Sequence, residues 1–151
     1  MATNARQAGN DGSQGGNAND DFVPKASPDA KLTKKQLQSL YERLREEQKR
    51  LTEGMGERMS AAISDVDPLA DELDIAQRHT EQANLMRFAE KERKLLVEID
   101  RALNKMREGE YGVCEGTGEP IAVKRLELRP WTRYSVAYKE QLENERKGYG
   151  G

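Results

Sequence analysis

The chain has 151 residues, of which 34% are charged and only 5% are aromatic. This composition is too polar for a large globular core and is typical of a long helical hairpin joined to a small globular unit. The formal net charge of −2 provides no overall basic field for nucleic acid, so we expect no direct DNA binding. No apolar run is long enough for a membrane span, and we expect a cytoplasmic protein.

The first segment, residues 1–31, is rich in Gly, Asn, Ser and Asp. Such a segment buries too little apolar surface to offset its ordering entropy, so we predict a disordered tail. Within it, Phe22, Val23 and Pro24 could dock loosely on the body. Pro28 delays the start of the first helix.

The first helix is predicted to begin at Thr33, a suitable N-cap with Gln36 in the capping-box position. Gly54 and Gly56 weaken this helix, each by about 1 kcal/mol relative to Ala. The helical pattern ends near Ser64, and Pro68 cannot continue it. Its apolar stripe, at spacings of three, four and seven, comprises Leu37, Leu40, Tyr41, Leu44, Leu51, Met55, Met59 and Ile63.

The second helix is predicted to begin near Asp71 and to stop at Gly109, a good C′ residue. A short connector makes the two helices antiparallel neighbours, so residues 32–108 form a coiled-coil hairpin and the fold class is mainly α. The apolar face of this helix comprises Leu73, Ala76, Ala83, Leu85, Phe88, Leu95, Leu96, Ile99, Ala102, Leu103 and Met106.

An acidic stretch, residues 64–76, lies at the distal end of this hairpin. It contains Asp65, Asp67, Asp71 and Asp74 but no basic residue. One or two of these aspartates are expected to cap or shape the turn. Four within ten residues exceed what capping needs, which indicates a carboxylate presented to a partner's site.

The amino-acid composition changes after Gly109, and residues 109–147 are predicted to form a small globular unit. Residues 111–121 are rich in turn residues and indicate a compact hairpin-like element. A final helix is predicted from about Thr132 to Arg146, and residues 148–151 form a frayed tail.

Two candidate sites lie in this unit. Cys114 is the single cysteine, whereas a structural zinc ion needs four ligands. We therefore expect Cys114 to be a small buried residue. The alternative is a redox role, in which the lone thiol is oxidised. A basic set is either ordinary surface charge or an anion site. It comprises Lys124, Arg125, Arg129, Arg133 and Lys139.

The chain resembles the DksA/TraR family of RNA-polymerase-binding transcription factors over about residues 33–147. The resemblance depends on Glu92-Arg93-Lys94-Leu95-Leu96, on the stretch Tyr111–Ile121, and on Lys124–Pro130. At the tip, Asp71-Glu72-Leu73-Asp74-Ile75-Ala76 is similar to the family's Asp-x-x-Asp-x-Ala motif.

The resemblance implies a non-enzymatic partner of bacterial RNA polymerase, which we expect to be a monomer. Its hairpin would enter the secondary channel of the polymerase, with Asp71, Asp74 and Ala76 at the working end. Promoter complexes would be destabilised or stabilised according to the promoter.

The resemblance also implies a site for guanosine tetraphosphate, the alarmone of the stringent response. Leu95, Arg129 and Lys139 match that site. Glu98 stands where a basic residue is usual, and a carboxylate there should weaken pyrophosphate binding.

The zinc-binding form of the family has cysteines at four positions that are occupied here by Cys114, Thr117, Ser135 and Tyr138. The chain therefore resembles the zinc-independent type, a zinc-finger-like unit without metal, and we expect no bound zinc. Packing by Trp131, Tyr134 and Tyr138 could replace the ion.

Two other functions remain open from the sequence. One is a stimulator of transcript cleavage, resembling the Gre factors, whose acidic tip helps to hold a metal ion. The other is a structural coiled-coil adaptor with a solvated tip.

Overall fold

The computed structural model describes residues 21–64 and 71–149, without the side chains of residues 61–64 and 149. Four helices follow one another: α1 Lys34–Ser64, α2 Glu72–Glu108, α3 Val123–Leu128 and α4 Val136–Tyr149. The tail predicted over residues 1–20, the aspartates Asp65 and Asp67, and the last two residues lie outside the described ranges. The mainly helical fold class is confirmed.

Local chemistry sets three of the four ends of the long helices. At the start of α1, the Thr33 N–H donates to Oε1 of Gln36 at 3.0 Å, and the Gln36 N–H donates to the Thr33 hydroxyl at 3.2 Å. This is the predicted capping box. Asp71 caps α2, and Gly109 ends it with φ 77° and ψ 32°, a left-handed conformation that favours glycine.

The hydrophobic core lies in what we call the base half of the hairpin, residues 34–54 and 93–108, and in the unit that follows it. Leu44, Ile99, Met106 and Leu126 have no exposed surface. They belong to a single cluster to which α1, α2, α3 and the turn segment 111–121 contribute. The cluster also contains Leu37, Leu40, Tyr41, Leu51, Ala102, Leu103, Tyr111, Cys114 and Ile121.

Residues 21–32, which we call the strap, lie against the base half. The Lys25 N–H donates to the Met106 carbonyl at 2.7 Å and the Ser27 N–H donates to the Tyr111 carbonyl at 2.8 Å. The Phe22 ring lies edge-on to Tyr41. The disordered tail predicted through residue 31 is therefore wrong for residues 21–31, because this segment makes backbone hydrogen bonds and packs on the core.

The turn segment closes as the predicted hairpin-like element. The Cys114 N–H donates to the Glu119 carbonyl at 2.7 Å, and the Ile121 N–H donates to the Gly112 carbonyl at 2.9 Å. Gly112 has φ 98°, and a Cβ there would lie 2.7 Å from the Cβ of Ala30. This glycine therefore permits both the turn and the close approach of the strap.

Tyr111 connects the turn segment to the loop after α3. Its hydroxyl donates to the Pro130 carbonyl at 2.7 Å. Burial raises the pKa of this phenol. The hydrogen bond satisfies a hydroxyl that has no access to water.

The distal half, residues 55–64 and 72–92, differs from the base half. The predicted apolar stripe continues into it, but Met59 is 65% exposed, Phe88 50% and Leu85 44%. The apolar stripe therefore continues along both helices, but on α1 its last buried side chain is that of Leu51. The side chain of Ile63 is outside the description.

The helices of the C-terminal unit differ from the prediction. The final helix begins at Val136 rather than near Thr132, and residues 123–128 form a short helix that periodicity did not indicate. No helix in the described ranges combines the length and apolar composition that a membrane span requires.

Candidate functional site

The tip of the hairpin is the start of α2, where two aspartates have different roles. The Asp71 carboxylate accepts a hydrogen bond from the Asp74 N–H at 2.9 Å, with Asp71 itself in an extended conformation. Asp71 therefore satisfies one of the backbone N–H groups that a helix leaves open at its N-terminus. Its carboxylate is engaged in the fold.

Asp74 lies in the first turn of α2 and is exposed, as is Ala76 after it. The partial positive charge at a helix N-terminus favours a carboxylate in this position. Leu73 is 77% exposed and Ile75 44%. The described part of the tip is thus a capped helix end on which the Asp74 carboxylate lies between two exposed apolar side chains, with a second exposed carboxylate at Glu72.

A cleft of about 360 Å³ lies where α2, α3 and α4 meet. It brings together most of the predicted basic set, but Lys124 is not among its lining residues. Arg129 and Lys139 are exposed, and Glu98 is partly buried. The lining residues are Glu98, Arg125, Leu128, Arg129, Trp131, Thr132, Arg133, Tyr134 and Lys139.

The structure gives positions for the three residues that match the family's site for guanosine tetraphosphate. Arg129 and Lys139 line the cleft, whereas Leu95 is partly buried and packs against the core one turn from Glu98 on α2. Trp131, taken from the sequence as packing, also lines the cleft. An indole beside two exposed cations offers an aromatic face and anion-binding groups together.

Backbone and side-chain bonds hold two of the arginines. Arg125 Nε donates to the Tyr134 carbonyl at 3.0 Å, and Arg133 Nε donates to Oε2 of Glu115 at 2.8 Å. The other Glu115 oxygen lies 2.5 Å from Lys105 Nζ. Burial tends to raise the pKa of Glu115, but the hydrogen bonds and charges of Lys105 and Arg133 outweigh it and lower the pKa.

The four zinc-ligand positions of the family are near one another. The Cys114 thiol is within hydrogen-bonding reach of backbone and side-chain groups of Ser135 and Thr117. The Ser135 hydroxyl accepts the Tyr138 N–H at 3.3 Å. A side chain at residue 116 would overlap the ring of Tyr138, so Gly116 and Tyr138 pack closely.

The Cys114 thiol is 1% exposed. Burial raises its pKa, but hydrogen bonds from the backbone and side chains of Ser135 and Thr117 outweigh burial and lower the pKa to about 7. Hydroxyl and amide groups thus surround a single sulfur atom. Within the described ranges, no cluster of three or more His, Cys, Asp or Glu could hold a metal ion.

Comparison with known proteins gives a family match at the C-terminal unit and relatives over longer spans. The family described as "Prokaryotic dksA/traR C4-type zinc finger" matches residues 109–137. General stress protein 16O of Bacillus subtilis (strain 168) is 39% identical over 122 residues, which are 76% of this chain and 72% of that protein.

Two further relatives carry related names. RNA polymerase-binding transcription factor DksA of Caulobacter vibrioides (strain NA1000 / CB15N) is 42% identical over 78 residues, 52% of this chain and 55% of that protein. The solved structure of transcription factor DksA2 from Pseudomonas aeruginosa matches with a TM-score of 0.67 and 32% identity, over 75% of this chain and 87% of that chain.

The matched family description implies four cysteine ligands for zinc, and this chain does not fit that ion. Structural zinc sites use thiolate and imidazole ligands. Here one thiol faces the hydroxyls of Thr117 and Ser135, and the Tyr138 ring packs on Gly116. These groups therefore form a hydrogen-bonded core that offers a single sulfur ligand.

Proposed function

This chain belongs to the DksA/TraR family, and from that premise we propose that it is a transcription regulator that binds RNA polymerase directly. The hairpin enters the secondary channel and presents Asp74 near the polymerase active site. The protein itself catalyses no reaction. Its effect is a change in the lifetime of promoter complexes.

The exposed Asp74 at a capped helix end is the observation that carries the proposal. Asp71 fixes the start of α2, and α2 continues unbroken for 37 residues into the base half. A rigid helix of this length, about 56 Å at 1.5 Å per residue, can hold one carboxylate far from the globular unit. Ala76, two residues further along α2, is exposed and contributes a small side chain that allows close approach.

The test combines a binding assay with transcription in vitro. The wild type is expected to bind core polymerase and to change the lifetime of complexes at a ribosomal RNA promoter. Asp74→Asn should abolish the promoter effect and leave polymerase affinity within about threefold, since it removes a charge without removing bulk. Glu81→Gln, an exposed carboxylate two turns further along α2, is the matched control and should behave as wild type.

Two results would overturn the proposal. If the wild type does not bind core polymerase, the proposed partner is wrong. If Asp74→Asn leaves the promoter effect unchanged, the proposed role of the tip is wrong. Cleavage of backtracked RNA, measured with the same proteins, separates a Gre-like function. We expect no stimulation of cleavage.

The cleft supports a second part of the proposal, a site for guanosine tetraphosphate shared with the polymerase. Arg129 and Lys139 supply positive charge, and Trp131 supplies a ring face beside them. Glu98 lines the same cleft and opposes a pyrophosphate. We therefore expect weak synergy with the alarmone.

Substitution at Glu98 tests that expectation. Glu98→Lys should strengthen the response to the alarmone by about tenfold, because a reversed charge in the cleft is worth on the order of 1–2 kcal/mol. Glu127→Lys makes the same change at an exposed position outside the lining. An equal gain in both variants would point to net charge alone.

We also propose that the folded protein contains no zinc. The hydrogen bonds around Cys114 and the packing of Tyr138 on Gly116 support this. Metal analysis should find no stoichiometric zinc, and a chelator should leave the unfolding temperature unchanged. One tightly bound zinc ion per chain would contradict the proposal.

A further inference from the structure

One carboxylate of α2, that of Glu92, is buried against α1 in the described part of the hairpin, and its partner Arg58 is partly exposed. Glu92 is 7% exposed, and Arg58 of α1 donates from its Nη2 to Oε2 of Glu92. The Arg58 guanidinium also lies 5.1 Å from the centre of the Phe88 ring. This contact crosses from one helix to the other between residues 34 positions apart in the sequence.

Gly54 has a role in this contact. A glycine inside a helix is less favourable than alanine. At Gly54, a Cβ would lie 3.1 Å from Nη2 of Arg58, one turn along the same face. Gly56, two residues on, would meet nothing within 4 Å. Gly54 therefore leaves the space through which the guanidinium reaches Glu92.

A second cross-helix pair lies closer to the base. Gln48, 8% exposed, donates from Nε2 to Oδ1 of Asp100 at 2.8 Å. Between the two pairs, a step of ten residues along α1 corresponds to a step of eight back along α2. Both pairs therefore belong to one antiparallel register.

That register determines how far α2 reaches. Ser64, the last described residue of α1, lies six residues beyond Arg58, level with about residue 86 of α2. α2 begins at Glu72, so its first turns lie beyond the level of Ser64 by about 20 Å at 1.5 Å per residue. Asp74 lies in these first turns.

We propose that Gly54, Arg58 and Glu92 form a register clamp, a set of positioning residues that fixes how far Asp74 projects from the base half. The clamp deepens the proposed function and rests on it. A slip of one helical turn would move the Glu92 carboxylate about 5.4 Å along α1, away from the Arg58 guanidinium that lies beside Gly54. Asp74 would then move by about 5.4 Å, more than a hydrogen bond can bridge.

A register role explains why a charged pair lies in this position. An ion pair with one buried partner, here Glu92, contributes little net stability compared with apolar residues, whereas removal of Arg58 leaves an uncompensated charge at Glu92. The best-attested use of a buried polar group in a coiled coil is to fix register. The apolar stripe of the distal half is exposed and therefore specifies the helix register only weakly. The pair of Arg58 and Glu92 specifies the register there instead.

The experiment measures register directly in the full chain. Nitroxide labels are attached through Glu57→Cys and Glu81→Cys in a Cys114→Ser background, and the label-to-label distance is determined by pulsed electron spin resonance. The parent should show one narrow distance. The apolar double variant Arg58→Leu with Glu92→Leu should remain folded but show a second distance, shifted by about 5 Å.

Matched variants separate register from charge and from stability. Arg93→Leu with Glu90→Leu removes an ion pair of the same type, 2.7 Å long, that stays within α2, and it should keep the single distance. The swapped pair, Arg58→Glu with Glu92→Arg, should also keep it. Adding Gly56→Ala, which improves helix propensity without a contact, should raise stability but not restore the single distance in the apolar double variant.

The same unlabelled variants are then tested with polymerase. The apolar double variant should bind with affinity within about threefold of wild type, while its maximal effect on promoter complexes falls at least fivefold. The swapped pair should recover the effect. A single unshifted distance in the apolar double variant would overturn the clamp. Failure of the wild type to bind polymerase would instead overturn the proposed function, with the distances still deciding the clamp.

Discussion

The base half and the distal half of the hairpin are made by the same two helices with the same apolar spacing, yet only one of them is packed. Leu44 in the base half is fully buried, whereas Leu85 in the distal half is 44% exposed. The strap, the turn segment and α3 cover the base half. In the distal half the described side chains of α1 leave most of the stripe on α2 exposed.

This difference separates stability from function. Burial of apolar surface is the main favourable term in folding, so the free energy of unfolding comes mainly from the base half. The proposed working residue lies at the other end, where substitutions cost little stability. A tip of this kind can therefore carry exposed charge without destabilising the core.

The largest expected effect tests this separation with the same substitution in both halves. Leu44→Ala should lower the free energy of unfolding by about 2–5 kcal/mol, because it leaves a cavity in the core. Leu85→Ala should cost less than about 1 kcal/mol, since its side chain is already half exposed. Urea unfolding followed by circular dichroism measures both, and equal losses would contradict the comparison.

The next prediction concerns the Cys114 thiol in the turn segment, whose residue belongs to the same core cluster as the base half. The pKa of Cys114 is lower in the folded protein, about 7, than its usual value of 9.0. The stabilisation is therefore complete above the unfolded pKa and is lost as the pH falls through the folded pKa. The free energy of unfolding should rise by up to about 3 kcal/mol between pH 6 and 9.

Cys114→Ser is the control for this prediction, because a serine does not titrate in that range. Urea unfolding of both proteins at each pH isolates the contribution of the thiol from those of other groups. An identical rise in stability in the variant would show that Cys114 is not its source.

The strap provides a smaller test of what covers the base half. The Phe22 ring contacts Tyr41, and Arg107 lies 4.7 Å from its centre. Phe22→Ala should cost about 1–2 kcal/mol through lost aromatic and cation–π contacts. Val23→Ala, at a position 79% exposed, should change stability by less than about 0.5 kcal/mol. Thermal unfolding compares the two, and equal effects would mean that the strap contributes no packing.

The smallest expected effect is local to the distal half. Asp71→Ala should increase fraying of the first turn of α2 by about 1 kcal/mol, because it removes the N-cap hydrogen bond. Asp71→Asn should retain the cap, since asparagine is an equally good N-cap. Amide hydrogen exchange of residues 72–76 is the measurement. Faster exchange in both variants, or in neither, would argue against the capping role.

The helix ends could be predicted because their chemistry is local. Thr33 with Gln36, Asp71 before α2 and Gly109 after it act on residues within one turn, and the structure has all three where the sequence indicates them. α3 could not be predicted from periodicity, because six residues are fewer than two turns. Burial of Leu126 in the shared core stabilises it.

The candidate site was predictable in part. Resemblance supplied Arg129 and Lys139, and the structure brings them into one cleft with Glu98. It also adds Trp131 there, a role that depends on the turn after Pro130 and on the start of α4 at Val136. Arg133 and Tyr134 precede that helix because they bond to Glu115 and Arg125. Such partners, 18 and nine residues away, have no local signature.

By itself, the sequence determined a long antiparallel hairpin with a capped acidic tip and a small C-terminal unit, because capping, periodicity and turn chemistry act over a few residues. The tertiary structure alone decided which half of the apolar stripe is buried and which charges pair across the helices. Gln48 with Asp100 and Arg58 with Glu92 are 52 and 34 residues apart. Their pairing depends on the register of two helices and on the layers that cover only one end of them.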